Sequence, residues 1–165
     1  MRKLVPVLLL APIVAVAAWA AEAAHMHGDA PHHVATTAEA LTWGPAPPAL
    51  PAGAQAAVLL GDPGKNEPFV IRVKFPDGYR VPPHWHPTAE NVTVLSGVFH
   101  VGTGETFDAT KGEALPVGGF VSLPAEMRHY AWAEGPTVVQ VHGVGPFALT
   151  YVNPADDPRT APAKP

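Results

Sequence analysis

The chain contains no cysteine. That excludes disulfides, thiolate metal sites, a cysteine nucleophile and a lipid-modified N-terminal cysteine. It does not argue against export, because a domain built from 165 residues can stand on its apolar core alone. Long helical periodicity is also missing. Lys111–Leu115 supports a single turn at most. No Ser-His-Asp arrangement, phosphate-binding glycine loop, dinucleotide fingerprint or internal repeat is present, and Gly102–Glu105 (GTGE) reads as a hairpin turn. Basic residues are few, 10 against 14 acidic ones. That balance disfavours nucleic acid and anionic membrane as partners.

The N-terminus reads as an export signal. Arg2 and Lys3 precede an apolar run from Leu4 to Ala18, and Ala18-Trp19-Ala20 and Ala21-Glu22-Ala23 both fit an A-x-A cleavage site. An uncleaved anchor is the rival reading, although Pro6 and Pro12 interrupt a run barely long enough to span. Cleavage after Ala20 would leave eight basic and fourteen acidic residues, a net charge of −6. These features predict a periplasmic or extracellular protein with residues 1–23 removed and no stable membrane insertion.

Residues 24–54 are rich in histidine and proline and poor in bulky apolar residues, which predicts disorder. Within them AHMHGDAPHH, residues 24–33, is a tract that could bind Cu or Zn, or simply a polar tail. Residues 153–165 form a second proline-rich tail. Between the two, short apolar or alternating runs recur at Ala56–Leu60, Phe69–Phe75, Asn91–Leu95, Val98–Val101, Phe120–Leu123, His129–Ala133, Val138–His142 and Phe147–Val152. Turn residues separate them, including Ser96-Gly97 and Glu134-Gly135-Pro136. Many short strands at near-regular spacing predict an all-β fold over residues 55–152, a sandwich, jelly roll or small barrel. Pro82 and Pro83 make the segment before His84 an edge or an irregular lead-in.

One stretch carries chemistry: GYRVPPHWHPTAENVTVLSG, residues 78–97. Strand side chains alternate faces, so His84 and His86 share a side opposite Trp85. Glu90 heads an inward row continued by Val92 and Val94, where a carboxylate is costly without a partner. Two imidazoles and a carboxylate converging at the mouth of a barrel form a metal-ligand arrangement. Taken alone, a His-x-His pair is more often a surface feature.

The whole pattern is Gly78, five residues, His84-Trp85-His86, three residues, Glu90, six residues, Gly97. It resembles the first signature motif of the cupin superfamily, of the small, exported, single-domain, type-2-like kind. After a gap of twenty residues, Gly118, Pro124 and His129 resemble the second motif. Two positions depart from it: Glu126 stands where a glycine is usual, and Ala133 where an asparagine is usual. The resemblance implies a double-stranded β-helix, a jelly-roll barrel, with one divalent transition metal ion inside. It implies His84, His86, Glu90 and His129 as the ligands. Mn, Fe, Ni, Cu, Co and Zn all suit such a set. It further implies dioxygenase-like oxidoreductase chemistry on a small organic molecule with O2 as co-substrate, and Glu90 as a base if it detaches. A non-catalytic module binding metal or a small ligand is the alternative. Homodimers are common in the superfamily, and Trp85, Tyr130 and Trp132, opposite in parity to the histidines, offer outer-face packing or a dimer surface. His100 and His142 lie near the metal if their strand faces point inward, and in solvent if they do not. Val92, Val94, Phe107, Phe120, Leu123 and Phe147 are the expected pocket-shaping residues.

Overall fold

A computed structural model describes residues 33–160. The apolar N-terminal run, His25, His27 and His32 lie outside the described residues. Among the described residues nine strands form one antiparallel sheet: β1 Gly44–Pro45, β2 Gln55–Leu60, β3 Pro68–Phe75, β4 Arg80–Trp85, β5 Glu90–Thr103, β6 Glu113–Leu115, β7 Phe120–Leu123, β8 His129–Val144 and β9 Thr150–Tyr151. Among the described residues no helix is long and apolar enough to cross a membrane.

The long strands β5 and β8 pair with each other from Asn91↔His142 to Thr103↔His129. Each then divides its other edge between two shorter strands. The first part of β8 takes β4 and the last part takes β3. The first part of β5 takes β7 and the last part takes β6. Two long strands, each shared by different partners along its length, must bend, and the sheet curls. The concave face collects an apolar core that includes Val73, Phe75, Val92, Phe99, Leu123, Val139 and Val141.

The sequence reading places turns at Ser96-Gly97 and Glu134-Gly135-Pro136, but both stretches lie inside continuous strands. Gly97 marks a bulge, with a register shift around Ser96 and φ of +74°. An added residue in one strand re-aims every side chain beyond it. Val92 and Val94 therefore face inward on even numbers, whereas Phe99 and Val101 face inward on odd ones. Lys111–Leu115, expected as a helical turn at most, supplies β6.

Residues 24–54, expected to be disordered, and the proline-rich tail of residues 153–165 are tied to the sheet at several of their described positions. Gly44 and Pro45 pair with Ala56 and Gln55. Residues 46–51 then form a strap over the core. Tyr79 Oη donates to the Pro51 carbonyl, and Tyr151 Oη donates to the Ala49 carbonyl at 2.8 Å. Lys74 Nζ sits 3.8 Å over the Trp43 ring at the start of the strap. At the other end, Pro154–Asp156 make one 3-10 turn capped by Asn153, and Arg159 reaches back to the Leu149 carbonyl at 3.0 Å. Proline-rich chain lacks its own ladder, and here it is tied down by side chains of the sheet.

Candidate metal centre

His84 is the last residue but one of β4, beyond Pro82 and Pro83. The pairing of β4 with β8 slips between Val81 and His84, where the prolines offer no N–H to the ladder. The slip allows Val81 and His84, of opposite parity, both to face the concave side. Because β4 lies between β8 and β9, it is irregular but not an edge strand. His86 follows in the loop, Glu90 opens β5 and His129 opens β8. His84 and His129 are directly opposite each other across the β4–β8 ladder. All three imidazoles are buried.

The ligand-type atoms of His84, His86, Glu90 and His129 lie within 4.8 Å of one another. Glu90 Oε2 is 3.2 Å from His129 Nε2 and 3.5 Å from His86 Nε2. Each imidazole is fixed from behind. His84 Nδ1 is 2.7 Å from the Pro82 carbonyl, His86 Nδ1 2.8 Å from that of Ala148, and His129 Nδ1 2.9 Å from that of Met127. A carbonyl oxygen can only accept, so Nδ1 carries the hydrogen, and a neutral ring turns a bare Nε2 lone pair inward. His86 Nε2 is buried and has no hydrogen-bond partner.

Burial disfavours the charged form of two of the rings. Burial, then repulsion by His129 and His86, lowers His84 to about 3. Burial also lowers His86, against the pull of Glu90. Burial works to raise Glu90, but the His129 contact and the surrounding imidazoles outweigh it and hold the carboxyl below its ordinary value. The inward nitrogens of three imidazoles and a carboxylate therefore share one small buried space. Buried acceptors of this kind call for a cation. Nitrogen and oxygen donors with no thiolate suit a borderline divalent ion, and the cluster matches a single divalent-metal site typical of cupins.

Residues 31–148 match the ChrR cupin-like domain family. The chain belongs to that family. No curated protein matches it. Among solved structures, a candidate acetylacetone dioxygenase from Methylibium petroleiphilum PM1 is 19% identical, with a TM-score of 0.60 over 81% of this chain and 90% of that one. The polyketide cyclase RemF of Streptomyces resistomycificus is 15% identical, with a TM-score of 0.59 over 77% and 90%. An RmlC-like cupin from Shewanella frigidimarina NCIMB 400 is 16% identical, with a TM-score of 0.54 over 69% and 91%. These likenesses establish the cupin fold.

The cluster lies in the wall of a cavity of about 400 Å³. Of the expected pocket residues, Val92, Leu123 and Phe147 line it. Val94 is buried but lies outside the lining. Phe120 is 54% exposed on the short strand β7, and Phe107 packs on the far side of the sheet against Tyr130 and Trp132. The sequence reading misses much of the lining. It omits Val73, Val139 and Val141, which their alternation could have revealed, and the strap residues Pro47–Leu50 and Arg159, which no local pattern marks.

His100 and His142 face away from the cluster. His100 stacks on Trp132 at 4.5 Å, with Nε2 2.8 Å from Glu134 Oε2. His142 alternates with the cavity-lining Val141 and so turns to the other face. Tyr130 and Trp132 are outer-face residues, but the chain's own loop covers them. Tyr130 is 1% exposed and donates to the Asp108 carbonyl, and Gly112 lies against the Trp132 ring. They therefore act as outer-face packing residues, one of the two roles expected of them.

Proposed function

We propose that this chain is an exported, metal-dependent oxidoreductase with dioxygenase-like chemistry on a small organic substrate. His84, His86, Glu90 and His129 are its metal ligands. The observation that carries this reading is the cluster of three imidazoles and a carboxylate set in the wall of a largely apolar cavity. An ion there would supply Lewis acidity and, if redox-active, electron transfer with O2. The chain's own contributions follow from the geometry. The Pro82, Ala148 and Met127 carbonyls fix the three rings in one tautomer and aim. Glu90 lowers the charge of the site and is the group placed to accept a proton. The apolar walls exclude competing water. The Methylibium relative lends the reaction class only as an analogy of fold.

The reading includes residues 1–23 as a cleaved signal, a periplasmic or extracellular location, a type-2-like cupin over residues 55–152 and closure of the curled sheet into a full jelly roll. The histidine-rich tract of residues 24–33 favours a second reading, a non-catalytic module that sequesters metal.

Elemental mass spectrometry on exported full-length protein and on a tail-deleted form tests both. One equivalent of Mn, Fe, Ni or Cu that survives tail deletion, followed by substrate-dependent O2 uptake lost in His84→Ala and His129→Ala, is expected for the oxidoreductase. Metal lost with the tail favours sequestration. No metal in either form refutes the metal-dependent reading.

A further inference from the structure

The cavity walls, beyond the cluster itself, restrict what can occupy the site. Of the residues that line it, His84, His86, Glu90 and His129 form the cluster, and the others are apolar with one exception, Arg159. Three of the five N–H groups of that guanidinium are already committed. Nε and Nη2 meet Asp157 at 2.8 and 2.7 Å, and Nη2 also donates to the Leu149 carbonyl at 3.0 Å. Asp157 cancels its charge. Apart from Nη1 of that partly exposed arginine, a bound molecule finds no polar side chain in the walls to replace the water lost by a hydroxyl or a second charge along its body, and leaving such a group unpaired is costly.

The charge available at the cluster is equally limited. A divalent ion with three neutral imidazoles and one carboxylate carries one net positive charge, which a single negative charge neutralises. Size gives the last constraint: about 400 Å³ is at the small end of organic-ligand pockets.

We infer that the site selects a compact molecule with an apolar body and its oxygen donors confined to one end, at most singly anionic there, as in an enolate or phenolate. The inference rests on the metal-centre reading and deepens it. It sets aside sugars and other polyols, and small dianions whose second charge the apolar wall cannot meet. Val73, Val139, Val141 and Phe147 are the specificity-determining contacts, and the strap Pro47–Leu50 closes the side away from the sheet.

Binding assays on the full chain test this without turnover. With zinc-loaded protein, calorimetric titration compares tropolone, a singly anionic oxygen chelator on a bare ring, with isopropyltropolone and with oxalate, and zinc is assayed in the same samples. Isopropyltropolone is expected to bind at least about 10-fold tighter than tropolone, as when an alkyl group leaves water for an apolar wall, with oxalate weaker than both. With metal-free protein, cumene carries the same apolar body with no oxygen, and it is expected to raise the melting temperature. Oxalate binding as tightly as isopropyltropolone overturns the inference, as does a cumene scan that leaves metal-free protein unmoved. Failure to take up zinc, with cumene still bound, instead overturns the metal-centre reading and leaves the apolar selection standing.

Discussion

Glu90→Gln should weaken the metal-free site modestly and its hold on metal strongly. In the metal-free site, Glu90 Oε2 faces the Nε2 atoms of His129 and His86 at 3.2 and 3.5 Å, and these contacts hold its carboxyl below the ordinary value. Glutamine has nearly the same shape but lacks the charge that those contacts stabilise. A net hydrogen bond lost costs about 1 kcal/mol, so the metal-free variant should melt roughly 3–5 °C lower than the parent for a domain of this size. With metal the loss is larger. Removing a group behind a ligand costs about 10–100-fold in affinity, so removing the charged ligand itself should cost about 100-fold or more. At an ion concentration about 1,000 times the parent's dissociation constant, binding adds about 4.1 kcal/mol to the parent, and about 1.4 kcal/mol to a variant bound 100-fold more weakly. The metal-induced rise in melting temperature should then shrink by about 10 °C. Differential scanning fluorimetry with and without added zinc reads both effects. A metal-free variant that melts above the parent would refute the stabilising role of the Glu90–His129 contact. An undiminished zinc shift would show that Glu90 is no ligand.

Three further perturbations follow from the fold. Gly97→Ala should destabilise by about 3 kcal/mol or more, measured by urea unfolding. It places an L residue at φ +74°, with its Cβ 2.4 Å from Thr137 Oγ1 and 2.6 Å from the Pro136 carbonyl oxygen. Glu126→Gly should be neutral or stabilising by up to about 1 kcal/mol in the same assay, because Glu126 holds φ of +63°, where glycine carries no Cβ penalty. Alkaline pH should loosen the strap. Burial, followed by the nearby Asp157, raises Tyr151 to about 12, and burial raises Tyr79 above its ordinary value. The unfolded phenols ionise near pH 10, so stability should be full below that and fall as pH climbs towards 12, by up to about 1.4 kcal/mol per pH unit per tyrosine. Tyr151→Phe should flatten that slope in melting curves taken from pH 8 to 12, and an unchanged slope would refute the assignment.

Much of the site was legible because its chemistry is local. His84 and His86 share a face by parity, and Glu90 lies close beyond them in the loop and strand that follow. Only the position of His129 needed the second motif, since the β4–β8 ladder that sets it opposite His84 joins residues far apart in sequence. Glu126 shows a family position surviving a change of residue. The backbone keeps the left-handed turn that the usual glycine would make, because Glu126 N–H bonds to the His86 carbonyl at 2.8 Å and the next carbonyl, Met127, fixes His129. The turn belongs to the site's scaffolding, and glutamate tolerates it at some conformational cost.

What parity could not supply was the number of bulges between the motif and each distant residue. Counting by twos from Val92 and Val94 puts His100 inside and Phe99 outside. The bulge at Gly97 reverses both, so His100 stacks on Trp132 while Phe99 enters the core. The break at Pro82-Pro83 does the same for Val81 and His84. Each slip leaves a trace in the sequence, a glycine with positive φ or a residue with no N–H, but the trace reads equally well as a turn or as a bulge. The choice between them depends on long-range pairing. At Gly97 it depends on whether β8 runs on past Gly135 to keep the partner strand in place, and Thr137, 1% exposed and donating to the Val98 carbonyl at 3.1 Å, is the residue that holds it there. Thr137→Val keeps the shape and removes that bond. It leaves the carbonyl of the half-buried Val98 short of one donor, which should cost about 1 kcal/mol in urea unfolding. If the bulge is what aims Phe99 and Val101 into the cavity, cumene binding to the metal-free variant should weaken in parallel. A loss of stability with cumene binding intact would separate the bulge from the shape of the cavity.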